Sequence, residues 1–222
     1  MSSKAPLLRH LRRLRVLRHP QERGSALVEF ALSSLVWLPL LLGTIVFGFN
    51  LLGAIQVSQL CRDSGHMYAY GIDFTQPANA TLLQRLITNL NINIQQGSGD
   101  GYIFFSTVTL VSDADCAAAG ASNPCANRGK YVFTKLLVFG NPVGAQTSLG
   151  SPDASFLKSG SVIQLSDYLN NASLVATNFS SLLTFTANQP GQYAYISEVN
   201  LRLHIINWSS FSNTTSYARS IF

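Results

Sequence analysis

The chain carries no charged residue between Phe30 and Arg62. Phe30 to Phe49 is a run of twenty residues, mostly Leu, Val, Ile, Phe and Ala, with Trp37 among them. At about 1.5 Å rise per residue, such a run crosses a hydrocarbon core of about 30 Å as a single helix. A secretory h-region is only about 7 to 15 residues long and closes in a small-residue cleavage box. This run is longer and has no such box at its far end, so the span is expected to stay with the mature chain. Beyond it, Leu51, Leu52, Ile55 and Leu60 keep an apolar stripe while Gln56, Ser58 and Gln59 bring in polarity. That pattern extends the helix to about Tyr70, where Gly71 offers a C-terminal cap. A helix from Ser25 to Tyr70 would be about 70 Å long, half of it in a bilayer and half above it.

After the span the periodicity changes. Leu82, Leu83, Leu86, Ile87 and Leu90 recur at helical spacing and predict a second helix over 79–94, with Asn79 or Thr81 as its N-cap. The Gly-rich stretch 95–101 reads as a turn. Tyr102 to Val111 is β-branched and aromatic and reads as a strand, Tyr131 to Phe139 as a second, and Gln192 to Ile206 as a third. Residues 140–191 are rich in Ser, Asn, Gly and Pro and read as loop with short helices near 166–170 and 178–184. The tail Ser216–Phe222 ends apolar, and its pattern allows it either to close the sheet or to meet a partner. The fold class expected is α+β. A basic leader (1–24) is followed by a transmembrane and stalk helix (25–70) and a small exported domain with an antiparallel sheet (71–222), large enough for one core.

Net charge is confined to the start. Residues 1–24 hold seven Lys or Arg against Glu22 alone, a net of +6, while the other 198 residues hold eight basic against nine acidic, a net of −1. The overall +5 is therefore a property of the leader. A nucleic-acid face would need Lys and Arg clustered on the folded domain, and no nucleic-acid partner is expected. A basic block before an apolar span is a topogenic signal that keeps the N-terminus in the cytoplasm. The pair Arg12-Arg13 raises a twin-arginine signal, but its flanks fit poorly. The long uncharged span argues against a transit peptide.

Glu29 stands one residue before the uncharged run. An acid at membrane depth is costly and usually functional, the alternative being an interfacial position. Cleavage between Gly24 and Ser25 would place a new α-amine four residues before Glu29, on nearly the same helix face. In a bundle, the amine of one subunit could neutralise the carboxylate of the next. Pro39 removes a backbone donor in mid-span, and Gly43, Gly48, Ser33, Ser34 and Thr44 supply small surfaces for helix–helix contact.

The run Arg23-Gly24-Ser25-Ala26-Leu27-Val28-Glu29-Phe30-Ala31-Leu32, followed by Leu38-Pro39-Leu40-Leu41-Leu42-Gly43, resembles the type IV pilin class. More narrowly it resembles the TadE-like pseudopilins of tight-adherence (Flp-type) pilus and secretion systems, over roughly residues 20–70. In that family a prepilin peptidase cuts after the glycine, the glutamate is fifth in the mature chain, and a leucine-proline step interrupts the helix. Cys61 to Ala69 keeps the family's pattern at the end of the helix only in part. The resemblance implies Gly24 as the cleavage point, Ser25 as the mature N-terminus, and Glu29, Phe30 and Pro39 as the assembly segment. It implies a minor pilin or pseudopilin, a structural component of a type IV (Tad-type) assembly in the bacterial inner membrane. The N-terminus would be cytoplasmic and the C-terminal domain periplasmic or extracellular. Implied partners are the prepilin peptidase, other pilins, the inner-membrane assembly platform and the lipid bilayer. The Asn-rich loops of 140–191 would then face outward and set adhesion or partner choice. The alternative is an uncleaved single-pass membrane protein with an exported binding domain, in which Glu29 is an incidental interfacial acid.

Cys116 and Cys125 flank a short flexible loop and suit a disulfide in an oxidising compartment. Cys61 lies on the predicted helix, as a buried small side chain or as an intersubunit partner. Asp113 and Asp115, even with Asp100, form too weak a pattern for calcium, and His66 and His204 have no partner at catalytic spacing. The five Asn-x-Ser/Thr triplets (Asn79, Asn171, Asn178, Asn207, Asn213) are expected from an Asn- and Ser-rich composition. No P-loop or membrane aspartate pair is present, so no enzymatic role, metal or cofactor is expected.

Overall fold

The computed structural model describes residues 21–88, 90–94, 98–120, 125–142, 146–157, 162–182, 191–203 and 214–222. The leader up to residue 20 lies outside this set. So do His204, Asn207 and Asn213, the first three residues of the turn expected before the first strand, and the last residues of the third expected strand.

Among the described residues eleven elements follow one another: α1 (Gln21–Ala69), α2 (Pro77–Ile87), β1 (Gly101–Leu110), α3 (Asp113–Ala118), β2 (Tyr131–Gly140), α4 (Ala154–Leu157), α5 (Leu165–Asn170), a 3₁₀ turn (Ala172–Leu174), α6 (Phe179–Leu182), β3 (Tyr193–Leu203) and β4 (Thr214–Ile221). The chain divides into two compact units, residues 1–45 and 46–222, with the division inside α1. The α+β expectation holds: one long apolar helix and a four-stranded antiparallel sheet in the order β2-β1-β3-β4.

The first unit contains the N-terminal part of α1. The helix begins at Gln21, before the expected start at Ser25, and Pro39 lies inside it without ending it.

In the second unit α1 ends as the sequence predicts. Gly71 takes φ +84°, the Ile72 amide donates to Met67 O at 3.0 Å and the Gly71 amide to Tyr68 O at 3.0 Å. This is a Schellman cap, and only glycine adopts that φ without strain. The expected second helix is shorter and starts earlier than 79–94. Pro77 occupies its first position, where a fixed φ and a missing N–H cost nothing. Asn79 and Thr81 are therefore not its N-cap, a role that falls to Gln76, and the Asn79 amide instead donates to Asp73 O at 3.0 Å. Beyond Ile87 the chain turns back, and Ile92 bridges to Gly99 on the way into β1.

The sheet is covered on both faces. On one face α1 and α2 contribute Leu60, Cys61, Tyr68 and Leu83, packed on Phe105, Leu137 and Val199. On the other, Leu149, Leu174 and Phe179 from the stretch after β2 pack on Val108, Phe133 and Ile196. Double coverage explains why β1 and β2 read as nearly continuous apolar runs rather than alternating ones: almost every position in them is buried. The stretch 140–191 is consequently not simply outward-facing loop. Leu149, Leu169, Leu174 and Phe179 are core residues, and α5 and α6 fall at the two short helices expected there. The tail, left open by its pattern, forms β4 and pairs with β3 from Ile196↔Ile221 to Leu203↔Thr214. Phe222 extends the pairing, exchanging both backbone hydrogen bonds with Tyr195 (3.0 and 2.9 Å).

Candidate functional site

In the first unit the residues expected to govern processing and assembly lie together on α1. Gly24, Ser25, Glu29 and Phe30 are all exposed, and the Ser25 hydroxyl donates to Glu29 Oε1 at 3.4 Å, one helical turn apart. From Leu27 to Ile45 every large apolar side chain is exposed, Phe30 at 74% and Trp37 at 69%. A helix apolar on all sides is stable only inside a protein core or a membrane, and among the described residues of its own unit no core covers this one. Two of its hydroxyls turn back onto the helix: Ser34 donates to Ala31 O at 2.9 Å and Thr44 to Leu41 O at 2.8 Å. Each thereby satisfies its donor without water, as a hydrocarbon medium demands. The helix is long and apolar enough to cross a membrane. A Cβ placed on Gly24, Gly43 or Gly48 would meet nothing within 4 Å, so no contact among the described residues requires glycine there.

In the second unit Cys116 and Cys125 form a disulfide, with Cα atoms 5.6 Å apart. Closing a loop of this size stabilises by about 2.5 kcal/mol in the chain-entropy account. The acids weighed for calcium have local structural partners. Asp115 closes a capping box with Ser112, and Asp113 pairs with Arg128. Among the described residues no group of three or more His, Cys, Asp or Glu could hold a metal. Cys61 is fully buried, its thiol donating to Ser197 O at 3.1 Å. Burial pushes this thiol above its ordinary pKa against the pull of the Ser197 and Ser220 hydrogen bonds, so it is a protonated core side chain, out of reach of another subunit. His66 is exposed and its ring lies 4.4 Å from that of Phe222.

Glu198 is the residue that sequence reasoning overlooked. Only 1% exposed, it sits in β3 opposite Arg219 of β4. Its Oε1 accepts the Ser148 amide at 3.0 Å, the Ser148 hydroxyl at 2.5 Å and the Tyr217 hydroxyl at 2.6 Å, while Arg219 Nη1 donates to Ser148 Oγ at 2.9 Å. Burial, and then the bond to Glu198, raise the Tyr217 hydroxyl well above its ordinary pKa and keep it a donor. One carboxylate thus fastens the segment after β2 onto the sheet. The signal was legible: Glu198 shares a strand face with Ile196, so an acid stood at an inward register position.

A groove of about 520 Å³ opens beside the end of α1. Tyr68, Tyr168, Tyr193 and Tyr195 face it, with Lys135 and Gln164. A register shift between Thr107 and Val108, which pair with Lys135 and Phe133, leaves Thr134 as the extra residue of a bulge at the groove wall. The Tyr68 hydroxyl is tied to Thr107 Oγ1 at 2.6 Å, and Lys135 Nζ lies 3.5 Å from Asp73 Oδ1. No family model matches the chain, and no curated protein or solved structure is significantly similar to it.

Proposed function

We propose that the chain is a TadE-like minor pilin or pseudopilin: a non-enzymatic structural subunit, cut by a prepilin peptidase after Gly24 and held in the bacterial inner membrane. On this reading the N-terminus is cytoplasmic and the domain from residue 71 onward is exported. The observation that carries it is the helical surface from Leu27 to Ile45, apolar all round, with Glu29 at its entry four residues after Ser25. A span needs only apolarity. An acid at its mouth is a cost that a neighbouring subunit's amine would offset, which gives a reason for subunits to leave lipid and join a polymer. The three glycines without a packing reason support the reading, since their smallness then serves a peptidase (Gly24) or neighbouring helices (Gly43, Gly48). Cys116–Cys125 fits an exported, oxidising location.

Glu29→Leu tests it in cells that carry the assembly system. The variant should reach the membrane at normal abundance and be lost from the assembled fraction. Incorporation at the wild-type level would leave Glu29 an interfacial acid and favour an uncleaved, anchored binding protein.

A further inference from the structure

We infer that the tyrosine-lined groove in the second unit is a binding site for a short neutral saccharide. The inference does not depend on the assembly reading, because the groove is formed entirely within residues 68–195. Its volume, about 520 Å³, falls in the range of small-molecule sites. Its chemistry narrows the ligand. Four of the eight tyrosines of the chain face it. Tyrosine supplies a flat apolar face together with a hydroxyl that both donates and accepts, the two features by which a sugar ring is held: C–H faces against the ring, hydroxyls against polar atoms. The Tyr68 hydroxyl is engaged with Thr107 and builds the wall. Those of Tyr168, Tyr193 and Tyr195 have no hydrogen-bond partner among the described residues. Gln164 adds an exposed amide at the rim.

Charge excludes the competing chemistries. The cation of the groove, Lys135, stands 3.5 Å from Asp73. Asp73 itself is held ionised: burial raises its pKa, but the Thr75 hydrogen bonds and Lys135 outweigh this and lower it. A phosphate or carboxylate ligand would have to displace Asp73 from Lys135. An alkyl chain would offer no hydrogen-bond partner to the tyrosine hydroxyls that line the groove. A neutral polyol meets neither obstacle.

The test uses the full chain in zwitterionic detergent micelles, since a maltoside detergent would itself present a sugar. Saturation-transfer difference NMR is recorded with maltotriose and with N,N′,N″-triacetylchitotriose. Transfer to the ring protons of at least one sugar is expected, with binding about tenfold weaker in Tyr193→Ala. Tyr193 is 52% exposed, so its truncation leaves the core intact. Should circular dichroism nevertheless change, Gln164→Ala carries the comparison and is likewise expected to weaken binding. Tyr70→Ala removes an exposed ring that does not line the groove and should change nothing. Absence of transfer from both sugars, transfer insensitive to the rim variants, or equal loss in Tyr70→Ala would overturn the inference.

Discussion

The ring of Phe222 lies 4.4 Å from that of His66 and rests over Gly65. A Cβ on Gly65 would collide with the Phe222 ring and stand 3.0 Å from Ser197 Cβ. Gly65 is therefore the notch in α1 that lets the last residue of the sheet dock against the helix. Gly→Ala inside a helix ordinarily stabilises by about 1 kcal/mol. Here the sign should reverse: Gly65→Ala is expected to destabilise by about 1 kcal/mol through overpacking. In a Phe222→Ala background the same substitution should recover its ordinary helical gain. A double-mutant cycle by urea unfolding checks this, and simple additivity would show that the notch is not what holds the ring.

Glu198 is expected to be the anchor of the segment that covers the second face of the sheet. Glu198→Ala strips three donors of their acceptor in a buried site and should cost about 3 kcal/mol. Glu198→Gln keeps an acceptor oxygen and should cost clearly less. The comparison is read from denaturant midpoints, with near-ultraviolet circular dichroism reporting the aromatic core. Equal, small losses in both variants would mean that the apolar contacts of Leu149 and Phe179 suffice to hold the segment.

Tyr68 and Tyr217 set an alkaline limit. Burial raises both phenols above the ordinary value of 10.0 in the folded chain. In the unfolded chain they ionise near 10.0, so the folded state binds the extra protons. Their contribution is fully present below pH 10 and declines as pH rises above it. Thermal melts should show a midpoint that falls from about pH 10 upward. Tyr68→Phe should flatten that decline while lowering stability at neutral pH by about 1 kcal/mol, because Thr107 Oγ1 loses its buried partner. A slope unchanged in Tyr68→Phe would assign the alkaline loss to other groups.

Much of this architecture was legible in the sequence because local signals and tertiary demands agree. The uncharged run, the cap at Gly71 and the β-branched stretches around Phe105 and Leu137 each specify their element without help from distant residues. The start of α2 was misplaced because Pro77 at the first helical position outweighs the capping preference of Asn79. The tail was undecided because Ser216 to Ile221 has no strong pattern of its own and becomes a strand by pairing with β3. The disulfide followed from the spacing of Cys116 and Cys125 across a short loop. Glu198 was missed because its partners, Ser148 and Tyr217, are distant in sequence and meet only in the folded sheet. The groove was hidden for the same reason, as its four tyrosines come from α1, α5 and β3.

As proposed, the chain is a substrate of a prepilin peptidase, cut between Gly24 and Ser25. This is tested most directly by the intact mass and N-terminal sequence of the membrane-extracted protein, produced with and without an active peptidase. A chain beginning at Ser25 is expected in the presence of the peptidase, and an uncut chain in its absence or in Gly24→Val. A chain that keeps its leader beside an active peptidase would contradict it.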